Sequence, residues 1–188
     1  MGVNVVGLTG LKGSGKDTAA RVLESAGFVH LKFAGPLKAM LGAFMTWQGA
    51  SSLIVERSLD GDLKEVPSPY LGDRSPRHAM QTLGTEWGRQ MIAASLWTDA
   101  LIAAARRCDK VVVSDVRFPN EAAVIEGLGG RVYRVERGLP PDDPHPSERL
   151  VIDLPVVDVL RNSAGSAAAF AAEARRFFTL KGHMPCRW

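Results

Sequence analysis

Glycine and lysine residues near the amino terminus have the spacing of a turn that binds anions. The letters GLKGSGK occupy residues 10–16, after the β-branched stretch 4–8 and before apolar residues at helical spacing over 16–26. Glycine permits positive φ angles and close approach of ligand oxygens, and a helix amino terminus offers unpaired N–H groups to an anion. This context predicts a loop in which the Lys16 ammonium group reaches the β- and γ-phosphates. The predicted phosphate-binding residues are Lys12, Gly13, Ser14, Gly15, Lys16, Asp17 and Thr18.

Asp17 departs from the usual pattern, in which serine or threonine at this position places a hydroxyl group on Mg²⁺. A carboxylate is also an oxygen ligand for Mg²⁺, directly or through water, although it adds negative charge beside the phosphates. Thr18 keeps a hydroxyl group available for the α-phosphate. Two alternatives stay open: Asp17 is an acid favoured by the helix dipole, or the whole loop is a glycine-rich turn with a solvated lysine.

A second candidate group follows the hydrophobic stretch 110–113, a predicted strand that Ser114 and Asp115 close. Ligand crevices in parallel α/β sheets lie at the carboxyl ends of the strands, so Asp115 is placed to bind Mg²⁺ through water. Arg117 suits a phosphate clamp because its planar guanidinium group binds phosphate oxygens bidentately. A strand-end cap for Asp115 and a structural salt bridge for Arg117 are the alternatives.

Strands and helices alternate along the chain, which favours an α/β fold with a mostly parallel sheet flanked by helices. The patterns predict strands at 4–8, 28–33, 110–113, 131–135 and 156–160, and helices at 16–26, 36–44, 75–92, 95–107, 119–128 and 166–178. Glycine and proline among polar residues at 47–74 predict a mobile excursion rather than a core element. We expect a single domain over residues 1–188, with a substrate-side insertion at about 47–92 and a lid-like loop at about 138–149.

The composition excludes several other classes of protein. The chain has 188 residues, 46% of them hydrophobic and 23% charged, and a formal net charge of +3. These values exclude a disordered or collagen-like chain, and no apolar run reaches the roughly 18 residues that cross a bilayer. Cys108 and Cys186 are far apart and the four histidines lack ligand spacing, so we predict neither a disulfide framework nor a zinc site. We expect a cytoplasmic protein with small phosphorylated ligands, no membrane or stable nucleic-acid binding, and a monomeric or homodimeric state.

Four strings of residues are distinctive together: GSGKDT at 13–18, FAGPLK at 33–38, MQTLGTEWGR at 80–89 and SDVRFPNE at 114–121. They resemble the corresponding strings of phage-type deoxynucleoside monophosphate kinases, and the similarity extends from the first predicted strand to about Arg137. The resemblance implies a three-layer P-loop kinase fold with mobile substrate-binding and lid segments. It also implies transfer of the γ-phosphoryl group of ATP to a nucleoside monophosphate with Mg²⁺, and suggests action in a bacterial host cytoplasm.

The resemblance also implies roles for side chains outside the phosphate loop. The predicted catalytic residues are Lys16, Asp115, Arg117 and Arg89. Lys38 and Arg89 are expected to hold the acceptor monophosphate, with a solvated surface charge as the alternative for each. Gln81 is expected to hydrogen-bond a base edge, and Trp87 either stacks on the base or packs in the core.

Three further side chains are expected on the ATP side. Arg134 and Arg137 flank the proposed lid and suit phosphate binding when it closes, with surface pairing as the alternative. Asn162 follows a predicted strand, at the loop where kinases of this kind commonly hold the adenine of ATP.

Two other functions stay open at this stage. Lys16 and Asp115 alone do not name the acceptor, so the chain is alternatively similar to dephospho-coenzyme A kinases or phosphomevalonate kinases. A non-catalytic nucleotide-binding regulator would bind ATP without phosphorylating an acceptor.

Overall fold

The computed structural model describes residues 3–138 and 151–185, which form two compact units. The first unit comprises residues up to Phe33 and from Leu101 onward, and the second comprises Ala34–Ala100. The predicted insertion at 47–92 lies within the second unit. Apart from Gly138, the predicted lid-like loop lies outside the described residues.

The first unit is built on a sheet of five parallel strands in the order β2-β3-β1-β4-β5. The strands are β1 (Asn4–Thr9), β2 (Val29–Leu31), β3 (Lys110–Val113), β4 (Arg131–Glu136) and β5 (Asp158–Arg161). β1 and β3 are neighbours, with Gly7 opposite Val113. The phosphate loop and Asp115 therefore follow two adjacent strands at the same edge of the sheet.

Helices follow the strands in the alternating pattern that the sequence predicts. The helices with both ends in the described residues are α1 (Lys16–Glu24), α2 (Gly35–Trp47), α3 (Ser52–Leu59), α4 (Pro76–Thr82), a π-helix (Leu83–Ile92), α5 (Leu96–Ala105), α6 (Pro119–Gly127) and α7 (Ala167–Leu180). Two short 3₁₀ turns occupy Asp62–Glu65 and Pro69–Leu71. Across the described part of the chain, no helix has the length and apolar character that a membrane span needs.

Alternation along β1 divides the core of the first unit into two clusters. Val6 and Leu8 pack in a cluster with side chains of α1 and α7, including Leu23 and Phe170. Val5 belongs to the other cluster, which contains side chains of α6. Side chains on a strand alternate between the two faces of the sheet, so this division places helices on both faces.

The prediction that residues 47–74 contribute no core element is wrong over α3. Ser51 caps this helix by accepting a hydrogen bond from Ile54 N at 3.3 Å, and Leu59 is buried. An added Cβ at Gly42 of α2 would lie 3.2 Å from Val55, so the two helices pack closely there. An eight-residue helix spans only about two turns, so its apolar periodicity gives little signal in the sequence. Helices this short are stabilised mainly by packing against the rest of the protein.

The predicted helix at 75–92 divides into α4 and a ten-residue π-helix. Gly84 and Gly88 are buried in the π-helix, and the Trp97 indole N–H donates a hydrogen bond to the Gly84 carbonyl at 2.8 Å. An added Cβ at Gly88 would lie 2.5 Å from the Trp97 ring, so only glycine permits this close approach. π-helical turns are rare and frequently occur at functional sites.

Candidate functional site

The turn between β1 and α1 leaves backbone exposed on one side. Gly13 and Gly15 adopt φ angles of 79° and 111°, and α1 begins at Lys16. A Cβ atom added to Gly13 would meet nothing within 4 Å, so this side of the turn is open. The Ser14 side chain is buried, and its Oγ atom has no hydrogen-bond partner among the described residues. An open turn with a helix amino terminus and an unpaired buried hydroxyl group fits a phosphate ligand.

Lys16 is held by the backbone of the same turn. Its Nζ atom donates hydrogen bonds to the carbonyl oxygens of Gly10 and Leu11, both at 2.7 Å. The pKa of Lys16 is lowered to about 8. Burial is the largest cause and the nearby positive charge of Arg117 is the second, while the negative charges of Asp17 and Asp115 raise the pKa by less. Four of the predicted site residues are thus close enough to influence one another's charge.

Asp17 belongs to a polar cluster that contains residues not predicted from the sequence. The Lys32 ammonium group donates a hydrogen bond to Asp17 Oδ1 at 3.2 Å, and His30 Nε2 lies 2.7 Å from Ser114 Oγ. Burial alone would raise the pKa of Asp17, but Lys32, His30 and Lys16 lower it below its usual value. His30 lies in β2 and Lys32 directly follows that strand, and this two-residue spacing is the weak sequence signal that the two residues share.

Three hydrogen bonds from backbone N–H groups to two carboxylates position the segment after β3. Asp115 Oδ1 accepts a hydrogen bond from the Phe33 N–H at 2.9 Å. The buried Glu121 carboxylate accepts hydrogen bonds from the N–H groups of Arg117 and Phe118, at 2.8 and 3.2 Å. Glu121 therefore fixes the backbone that carries Arg117, whose side chain stays exposed.

A cleft of about 350 Å³ lies beside the phosphate loop. The loop, the helix start at Asp17 and Thr18, and the side chains of Arg137 and Asn162 contribute to its walls, together with Phe170 of α7. The structure thus brings most of the residues predicted for the ATP side to one cleft. Lys12 lies exposed on the loop.

Arg134 is held differently from the other predicted ATP-side residues. It lies within β4, where its Nη2 atom donates a hydrogen bond to the Leu154 carbonyl oxygen. Its Nη1 atom lies 3.8 Å from a carboxylate oxygen of Glu136. These contacts support the surface-pairing alternative, and a role for Arg134 in phosphate binding stays a prediction.

Four residues predicted on the acceptor side lie in the second unit. They are Lys38, Gln81, Trp87 and Arg89. Lys38 forms an ion pair with Asp60, and Gln81 is exposed. Trp87 is 36% exposed, with its ring centroid 6.3 Å from that of Trp97. Arg89 is half-buried in the π-helix, and the acceptor-binding roles of all four residues stay predictions.

The chain was compared with known proteins, and no family model matches it. One relative, from Acanthamoeba polyphaga mimivirus, is named "Putative deoxynucleotide monophosphate kinase". It is 34% identical over 163 residues, which cover 77% of this chain and 80% of the relative. The chain belongs to the deoxynucleoside monophosphate kinase family. The predicted resemblance to this family is therefore confirmed, as is the prediction of an ATP-dependent nucleoside monophosphate kinase.

Two further similarities concern part of the sequence and the fold. The deoxynucleoside-5'-monophosphate kinase of Escherichia phage T5 is 33% identical over 84 residues, which cover 39% of this chain and 34% of that protein. The solved structure "Crystal structure of TT1252 from Thermus thermophilus" has a TM-score of 0.52 and 16% sequence identity, covering 96% of this chain and 98% of that chain. The second likeness concerns the fold alone, and together with the five-stranded parallel sheet it confirms the predicted α/β fold.

For a deoxynucleoside monophosphate kinase, the oxygen donors of the first unit fit Mg²⁺. Within residues 3–138 and 151–185, no group of three or more His, Cys, Asp or Glu side chains is arranged to hold a metal by itself. Mg²⁺ is usually bound by one or two carboxylates together with water and phosphate oxygens. Asp17 and Asp115 match this donor chemistry beside a phosphate loop, and metal binding by them stays a prediction.

Proposed function

We propose that this deoxynucleoside monophosphate kinase uses Mg²⁺ with ATP, and that its preferred acceptors are deoxynucleoside monophosphates. The open turn at Gly13, with the α1 amino terminus beside it, is the observation that carries the proposal. We also propose that the enzyme acts in the cytoplasm, on free nucleotides and without stable binding to nucleic acid. Its two widely separated cysteines support a reducing compartment.

The proposed site requires no general base on the protein. An oxygen of a nucleoside monophosphate is already ionised near neutral pH, so catalysis consists mainly of alignment and neutralisation of developing charge. The N–H groups of the loop and Lys16 bind the β- and γ-phosphates of the donor. Asp115 and Asp17 hold Mg²⁺, which neutralises phosphate charge when bound.

Each unit supplies its own cationic side chains that could bind a phosphate of the acceptor, and the roles are proposed separately. Arg117 follows β3, and the backbone that carries it is fixed by Glu121. Arg89 lies in the π-helix. Lys38 forms an ion pair with Asp60, so it binds a phosphate oxygen only when it leaves that carboxylate. Trp87 and Gln81 contact the base. A bidentate guanidinium group orients a phosphate as well as binding it, which favours the two arginines.

A coupled assay of ADP formation tests the proposal with a panel of acceptors. The panel contains deoxynucleoside and ribonucleoside monophosphates, dephospho-coenzyme A and phosphomevalonate, each with and without Mg²⁺. We expect deoxynucleoside monophosphates to be phosphorylated fastest, and only with Mg²⁺. Lys16→Ala should lower kcat by about 10²- to 10³-fold, because one charged contact to the transferred group is lost.

Arg106→Ala is the matched control, because this cation is exposed on the surface and has no place in the proposed site. It should keep the wild-type rate. Faster turnover of dephospho-coenzyme A or phosphomevalonate, or no acceptor turnover above the background ATPase rate, would contradict the proposal.

A further inference from the structure

Asn162 joins the segment after β5 to the backbone of the phosphate loop. Its Nδ2 atom donates a hydrogen bond to the Ser14 carbonyl oxygen at 2.9 Å, across 148 residues of sequence. Its own N–H donates to the Glu136 carbonyl oxygen at 2.6 Å, which anchors it beside β4. The side chain that reaches the loop is therefore held on a rigid strand end.

This contact sets the direction of the peptide group between Ser14 and Gly15. A trans peptide is planar, so its carbonyl oxygen and its N–H group point in opposite directions. Because Asn162 holds the Ser14 oxygen, the Gly15 N–H points within the peptide plane in the direction away from the Asn162 amide group. Without that hydrogen bond the peptide can rotate more easily, since Gly15 at φ 111° tolerates a wide range of backbone angles.

The direction of this peptide matters to an anion. A phosphate oxygen is attracted by an N–H group and repelled by a carbonyl oxygen, so rotation of a single peptide replaces an attraction with a repulsion. Asn162 also lines the cleft beside the loop. It therefore has two conceivable roles: it orients the loop, or it contacts the nucleoside part of ATP directly.

We propose that Asn162 is a positioning residue, whose amide group holds the Ser14–Gly15 peptide in the orientation that binds phosphate. The inference rests on the proposed function, because it requires the loop to bind the phosphates of ATP. In this proposal the segment after β5 strengthens the binding of a phosphate chain whether or not a nucleoside is attached to it. The close packing of Asn162 on the loop also requires glycine at position 15, since an added Cβ there would lie 2.8 Å from Asn162 Nδ2.

Inorganic tripolyphosphate separates the two roles, because it carries the phosphate chain without a nucleoside. Its binding to the full chain is measured by isothermal titration calorimetry for the wild type, Asn162→Ala and Asn162→Leu. The leucine variant keeps the branched shape but has no hydrogen-bond donor, so it guards against an effect of lost volume. We expect both variants to bind tripolyphosphate about five- to tenfold more weakly, the value of one hydrogen bond, and ATP to be weakened by the same factor.

Ser163→Ala is the control, because Ser163 is the exposed next residue in the same segment. It should bind tripolyphosphate as the wild type does. Unchanged tripolyphosphate affinity in both Asn162 variants, with weakened ATP binding, would overturn the inference and assign Asn162 to the nucleoside. If the wild type binds no tripolyphosphate and Lys16→Ala does not alter ATP binding, the proposed phosphate loop itself fails, and the inference fails with it.

Discussion

Gly15 is enclosed by side chains on one side of the phosphate loop, whereas Gly13 is not. Both residues have positive φ angles, at 111° and 79°. An added Cβ at Gly15 would lie 2.7 Å from the Phe170 ring and 2.8 Å from Asn162, while one at Gly13 would meet nothing within 4 Å. A side chain at Gly13 would therefore meet backbone strain alone, whereas a side chain at Gly15 would meet backbone strain and a steric clash.

Alanine substitutions at these glycines should differ in their effect on stability. Gly13→Ala introduces only the strain of a left-handed conformation, about 1–2 kcal/mol. Gly15→Ala adds overpacking against Phe170 and Asn162, typically about 1–3 kcal/mol more. Urea denaturation of both variants measures the difference. Equal free energies of unfolding would show that the Gly15 neighbours move aside without cost.

The open turn between β1 and α1 could be predicted because its sequence signal is local, whereas the side chains that support it could not; phosphate binding by the turn stays a prediction. The loop is a contiguous string of glycines and lysine between a strand and a helix. His30 contacts Ser114 across 84 residues, and Lys32 contacts Asp17 across 15. Contacts at such separations depend on strand order, which a single sequence does not supply. Asn162 was predicted near ATP, but its bond to the Ser14 carbonyl required the structure.

At the level of secondary structure, the π-helix carries two glycines with different surroundings. A Cβ added at Gly88 would lie 2.5 to 2.7 Å from three atoms of the Trp97 indole ring. A Cβ added at Gly84 would lie 3.5 Å from a methyl group of Leu37, which is an ordinary contact. The Trp97 ring is therefore seated on Gly88 and hydrogen-bonded to Gly84.

Gly88→Ala should destabilise the protein, while Gly84→Ala should be neutral or stabilising. Alanine in a helix is favoured over glycine by up to about 1 kcal/mol, and this gain applies at both positions. At Gly88 the displacement of Trp97 costs about 1–3 kcal/mol and outweighs it. Chemical denaturation followed by tryptophan fluorescence reports both stability and the environment of the ring. A Gly88→Ala protein as stable as Gly84→Ala would contradict this packing.

In the second unit, the sequence predicted where the chain is helical but not which type of helix it forms. Apolar periodicity placed a single helix at 75–92, and the chain is helical there, but the pattern cannot distinguish α- from π-hydrogen bonding. Met91 has helical spacing from Trp87, and yet it is 74% exposed. In the first unit, by contrast, the strand at Lys110–Val113 was predicted with its exact bounds, because a short β-branched run has few alternatives.

At the scale of the whole chain, His183 connects the carboxyl-terminal segment to the first and fourth strands. Its Nδ1 atom lies 3.1 Å from Asn4 Oδ1, and its Nε2 atom lies 2.8 Å from the hydroxyl oxygen of the buried Tyr133. A neutral ring satisfies both contacts, donating from Nδ1 to Asn4 and accepting the Tyr133 hydroxyl proton at Nε2. Burial and the nearby Arg131 lower the pKa of His183 below its ordinary value.

The free energy of unfolding should fall as the pH falls below about 6.5, and His183 should contribute to this loss. The unfolded chain binds a proton at the ordinary histidine pKa, whereas the folded chain resists protonation until a lower pH. We expect His183→Gln to show a smaller loss of stability than the wild type between pH 8 and pH 5.5. Urea denaturation at each pH measures this difference.

The lowered pKa of His30 is present in both proteins, so its contribution cancels from the comparison. Asp17, Asp62 and Asp158 have pKa values below 3.8, so they lose their charge at more acidic pH. Parallel pH profiles for the two proteins would show that His183 takes up its proton equally in both states.

The two hydrogen bonds from Lys16 Nζ to backbone carbonyl oxygens have a consequence for the entropy of anion binding at this loop. An ammonium group donates up to three hydrogen bonds, so Lys16 keeps one donor for a phosphate oxygen while the carbonyl oxygens of Gly10 and Leu11 hold the other two. Because the ammonium group is anchored before a ligand arrives, we expect its side chain to lose little conformational freedom when an anion binds.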